Sequence, residues 1–115
     1  MALGKFQINV ALDTATDPDD TTLLAAPESD ETIYIQWLAI IVTTLEAATT
    51  INIEDGVGGD VVASIASTAL GTTVLEYANG PKSDGLRMTS GTLLNATTAG
   101  GTSLGGRVVG ECIVR

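Results

Sequence analysis

No histidine occurs in this sequence. Its absence removes the commonest general base, the usual activator of a serine or cysteine nucleophile, and the commonest transition-metal ligand. The single cysteine, Cys112, excludes an intramolecular disulfide and a multi-thiolate zinc site. Its setting (Val109, Gly110, Glu111, Ile113, Val114) reads as that of a small buried hydrophobe rather than a reactive thiol. Aromatic residues are confined to Phe6, Tyr34, Trp37 and Tyr77, too few to line a sugar-binding cleft beside a carboxylate pair. Basic residues are scarce as well: five Lys and Arg against fourteen Asp and Glu, a formal net charge of −9. Phosphate binding needs clustered cations, so neither nucleic acid nor an anionic membrane is an expected partner. The longest apolar run, residues 33–42, is too short to span a bilayer and contains Gln36. The opening MALGKFQINV enters a strand pattern at once and has no signal-peptide core.

Nothing in the remaining residues assembles into a catalytic set. Lys5 and Lys82 sit in polar surroundings. The adjacent acids Asp19–Asp20, Asp30–Glu31 and Glu54–Asp55 read as solvated turn residues. GVGGD and AGGTSLGG lack the Lys-Ser/Thr pair of a phosphate loop and stand between strands. Asp13, Asp17, Asp19 and Asp20 supply several oxygens from one loop, as a hard cation requires. The glycine and bidentate glutamate of an EF-hand are missing there, so cation binding by loop 13–20 is a question for calcium titration. No enzymatic activity and no cofactor are expected.

What the chain does have is β-branched residues, glycine and alternation. Phe6, Ile8, Val10 and Leu12 alternate with Lys5, Gln7, Asn9 and Ala11, the period of a half-buried strand. A short edge strand over 21–26 follows an acidic loop, and a long strand spans about 32–45. Ile51 and Ile53 lead into the hairpin loop DGVGGD, whose glycines supply positive φ. Val61, Ala63 and Ile65 then define the next inward face. Further strands are expected over 72–77, 86–89, 92–97 and 107–115, with a long turn at 79–85. About eight short strands, turn signals every ten residues and little or no helix predict an all-β, antiparallel β-sandwich or jelly roll. The expectation is one domain over 1–115, with residues 1–5 as an N-terminal arm.

The run IYIQWLAIIV (33–42) is apolar on both sides. Strict alternation puts Ile33, Ile35, Trp37, Ala39 and Ile41 on one face and Tyr34, Gln36, Leu38, Ile40 and Val42 on the other. Antiparallel sheets commonly present one face to the core and the other to water. A two-sided strand therefore needs a second cover, most simply another subunit. Trp37 fits either the core or an interface, and whichever it takes leaves the opposite face to be covered. Trp37, Leu38, Ile40 and Val42, with Val109 and Ile113 of the equally mixed last strand, are the expected subunit contacts. Gly110 and Ala39 mark places where another backbone or a bulky side chain comes close. Half of the acids precede position 32 and four of the five basic residues follow position 81, an asymmetry suited to steering copies head to tail.

The order of these parts, with NIEDG, GPKSDGLRMTSGTLLNATT and VVGECIVR in the last two-thirds, resembles the small β-sandwich decoration or cement proteins of tailed-bacteriophage capsids. The resemblance implies a homotrimer, made in the host bacterial cytoplasm and bound to the outer capsid surface of the virion. There it would clamp neighbouring major capsid subunits. The apolar start Met1, Ala2, Leu3 and Phe6 would be the capsid contact. The alternatives are a carbohydrate-binding or adhesin-like fibre module, or a minor head or tail protein.

Overall fold

The first and last strands lie side by side, and their pairing builds one wall of the protein. In the computed structural model, which describes residues 3–14, 20–67, 69–78, 84–99 and 104–115, β1 (Gly4–Thr14) pairs with β9 (Leu104–Val114). The register runs without a break from Gly4 opposite Val114 to Thr14 opposite Leu104. Between these lie β2 (Asp20–Leu24), β3 (Ile33–Leu45), β4 (Thr49–Asp55), β5 (Asp60–Ser67), β6 (Gly71–Glu76), β7 (Leu86–Arg87) and β8 (Leu94–Ala99). No helix occurs among the described residues.

Two antiparallel sheets result. The first has the order β1-β9-β3-β6, with β7 also pairing β3, and the second β2-β8-β4-β5. Most connections cross from one sheet to the other; β4 and β5 form a hairpin within the second. This is the jelly-roll arrangement of two interleaved four-stranded layers. The edge strand expected near residue 21 is β2, and the long strand is central, held by β9 on one side and by β6 and β7 on the other.

Alternation holds cleanly in β1, where Ile8 and Leu12 are buried and Lys5, Gln7, Asn9 and Ala11 are exposed. Phe6 follows the same parity and packs against the core instead of reaching outward as an expected capsid contact. In β3 the parity changes. Opposite β9 the register shifts between Ile35 and Trp37, leaving Gln36 as an extra residue. Such a β-bulge re-aims every side chain beyond it. Ile33 and Ile35 point inward before it, and Leu38, Ile40 and Val42 point inward after it. A second shift between Val42 and Thr44 repeats the device near the end of the strand. The two-sided run is thus largely a one-sided strand folded around a bulge.

Those five side chains meet Ile51, Ile53, Ile65, Leu94 and Ala96 from the second sheet and Met88 from the segment after β7, in one cluster of buried residues. Cys112 joins it from β9 and is wholly buried. The segment 88–93, which turns at Ser90–Gly91, is tied down by Met88 N–H to Ile33 O at 2.9 Å and Gly91 N–H to Glu31 O at 2.8 Å. Asp55 adds to this by accepting from Thr89 N–H at 3.0 Å and from Thr89 Oγ1 at 2.5 Å.

The β4–β5 hairpin forms where the glycines call for it, with Gly56 and Gly58 at φ of 90° and 71°. Its register also shifts, between Ile53 and Glu54, so that Val62 is the extra residue. Ala63 and Ile65 stay against the core, but Val61 turns outward and is 51% exposed, not inward as alternation predicts.

Candidate interaction surface

The outer face of the first sheet gathers what the sequence scatters. The register aligns four rows across it: Lys5, Ile113, Tyr34 and Arg87; then Gln7, Glu111, Trp37 and Glu76; then Asn9, Val109, Ala39 and Val74; and last Ala11, Arg107, Ile41 and Thr72. Down the middle runs an apolar stripe of Ile113, Tyr34, Trp37, Val109 and Ile41, all partly exposed, with Val74 at its edge 56% exposed. Half-buried aromatic and β-branched side chains on a rigid sheet, rimmed by charge, have the make-up of a protein contact surface.

Charge around the stripe is ordered. Lys5 Nζ lies 3.4 Å from Glu111, which also accepts from Gln7 at 3.0 Å. Arg115 places its guanidinium 5.3 Å from the Tyr34 ring centre and pairs with Asp84 at 2.6 Å. Arg107 donates to Asn9 Oδ1. Arg87 and Arg107 make no ion pair among the described residues, and they sit at opposite ends of the stripe. Every described cation therefore belongs to this face. Eight of the eleven carboxylates with described side chains lie elsewhere, on β2, in the turns and in the β4–β5 hairpin.

The bulge decides which expected contacts lie here. Trp37, Val109 and Ile113 share the outer face. Leu38, Ile40 and Val42 do not; the structure puts them at 0%, 1% and 6% exposure inside the chain's own core. Of the expected capsid contacts, Leu3 is 64% exposed at the edge of the sheet, Phe6 is turned to the core, and Met1 and Ala2 lie outside the described residues. Tyr34, Ile41 and Val74 were missing from the expected set. Ile41 shares the parity of Trp37, whereas Tyr34 joins that face only across the bulge and Val74 only through the β3–β6 pairing.

Other places on the molecule offer less. A shallow pocket of about 170 Å³ opens between the edges of β5 and β6, lined by Ile40, Val42, Ile65, Leu70 and neighbours. It is smaller than the roughly 300–1,000 Å³ of small-molecule sites. Asn95, wholly buried, donates through Nδ2 to Asp20 Oδ1 at 3.1 Å and Glu54 Oε1 at 3.0 Å. That burial is at odds with its Asn-Ala-Thr triplet acting as a glycosylation acceptor. No group of three or more acidic or thiol side chains placed to hold a metal occurs among the described residues. Asp17 and Asp19 of the acidic loop lie outside the described residues, as does the side chain of Asp13. Burial and the neighbouring Glu111 charge push the Cys112 thiol up to about 12, so it is inert as a nucleophile.

No family model and no curated protein matches the chain. A solved structure of Bacillus endospore appendages, described as a novel family of disulfide-linked pili, is similar in fold. Its TM-score is 0.54 at 15% identity, covering 98% of this chain and 90% of that one. At that identity the likeness extends to the all-β sandwich architecture and no further.

Proposed function

We propose that this chain is a structural protein that works by packing its outer sheet face against other protein surfaces. In its assembly it acts as a decoration protein on the outside of an icosahedral phage head, as a trimer that bridges major capsid subunits. The observation that carries this reading is the apolar stripe from Ile113 and Tyr34 to Ile41, rimmed by charge on a central, well-paired sheet. Bridging stabilises a shell because separating two capsid subunits then also requires breaking the bridge's contacts. An acidic surface, at a formal charge of −9, suits the exterior of a particle that holds nucleic acid inside.

A second reading, a subunit of a surface fibre, is favoured by the fold it shares with the Bacillus appendage protein. The disulfide linkage described for those pili is not available from Cys112 as it stands, because that thiol is buried.

Light scattering after gel filtration, followed by co-sedimentation with empty phage heads and by electron microscopy of the protein alone, tests both. A three-chain mass with sedimentation on heads supports the decoration reading, and filaments support the fibre reading. A monomer that neither binds heads nor polymerises overturns both.

A further inference from the structure

Resting on the reading of the outer sheet face as a protein contact, we infer that its occupant is the β4–β5 hairpin of a second copy of this chain, docked head to tail. The hairpin tip is the chemical complement of the face. Val57 and Val61 are 58% and 51% exposed there, two large apolar side chains, one in the turn and one at the start of β5. Val61 owes its exposure to the bulge at Val62, and the loop owes its shape to the positive φ of Gly56 and Gly58. Beside them stands Asp60, exposed and without an ion pair among the described residues. The face offers the converse: an apolar stripe with Arg87 and Arg107 at its two ends, neither of them in an ion pair among the described residues.

Electrostatics selects this pairing over others. A copy carrying −9 repels its neighbours over most of its surface, and attraction is restricted to where the cations sit. All described cations sit on one face, while the hairpin carries only acids. Two different patches meeting make a heterologous contact, which gives a ring if the rotation closes and an open filament if it does not. A closed trimer and a fibre are two outcomes of the same contact.

The test uses two surface variants of the full chain, each checked for an unchanged thermal melt. One reverses the face (Arg87→Glu with Arg107→Glu) and the other the hairpin (Asp60→Lys with Val57→Ser). Wild type is expected to associate, and each variant alone to associate about a hundredfold more weakly or less, since reversal sets like charge against like. Mixing the two brings together one intact face and one intact hairpin, and the two reversed patches are again opposite in charge, so association is expected to return in complexes that contain both variants. A hairpin variant that keeps the wild-type mass overturns the inference in favour of face-to-face pairing. Absence of any complex in the mixture overturns it as well. Wild type that stays monomeric yet binds empty heads overturns the self-contact and leaves the decoration reading standing.

Discussion

Gly110 on β9 faces the bulge on β3 so closely that a Cβ there would overlap the Trp37 carbonyl oxygen and lie 2.8 Å from Leu38 Cδ2. The glycine makes room for the bulge, and the bulge turns Trp37 outward and Leu38 inward. Gly106, opposite Val42 at the second shift, leaves the same kind of room beside Ile41. Close backbone approach, rather than a turn, explains both glycines.

Gly110→Ala is therefore expected to destabilise the fold by about 1–3 kcal/mol, the usual range for forcing an extra methyl into a packed interior. Urea denaturation measures it. A loss near zero would mean that the bulge can relax away from β9.

Ile40 and Ile41 are neighbours with opposite fates. Ile40 is 1% exposed in the core, whereas Ile41 lies on the outer stripe. Ile40→Asp would bury an unpaired charge and is expected to abolish folding, seen as loss of the strand signal in circular dichroism. Ile41→Asp is expected to stay folded, within about 1 kcal/mol of wild type as for most surface changes, while losing association. Equal effects of the two would contradict the parity set by the bulge.

Cys112 should resist thiol reagents at neutral pH until the protein unfolds, because the reactive thiolate is suppressed. Its folded pKa, raised from 9.0 to about 12, also has a consequence for stability. A group raised on folding contributes stability that is present below the unfolded value and lost as pH climbs through the folded one. Burial raises Tyr77 in the same direction. Stability should fall as pH rises from 9 toward 12, and less steeply in Cys112→Ala. Melting temperatures across that interval decide the matter.

Asn95 separates two carboxylates by donating to both Asp20 and Glu54. Asn95→Asp replaces the donor with a third negative charge and is expected to cost about 3 kcal/mol at neutral pH. Like-charge crowding disfavours the ionised form of the introduced carboxyl, so protonating it on acidification should restore stability. A deficit that is the same at pH 7 and near pH 4–5 would refute the cluster's electrostatic role.

Much of the fold was legible because it depends on local chemistry. Alternation in β1, the glycine signal at 55–60 and the β-branched composition act over a few residues, and each forms where expected. The candidate surface was half legible. Trp37, Val109 and Ile113 were expected at a contact and lie on the exposed face, while Leu38, Ile40 and Val42 went to the core. Strict two-residue alternation cannot anticipate an inserted Gln36. One extra residue reverses every side chain beyond it.

By itself, then, the sequence determined strand composition, turn positions, net charge and the lack of histidine, since these are properties of the residues or of their near neighbours. Only the tertiary structure decided which side of β3 is covered, that Val61 faces out, and that Lys5, Arg87, Arg107 and Arg115 share one face. Those outcomes depend on strands far apart in the chain, β1 beside β9 and β9 beside β3, and on bulges that exist only once such strands pair.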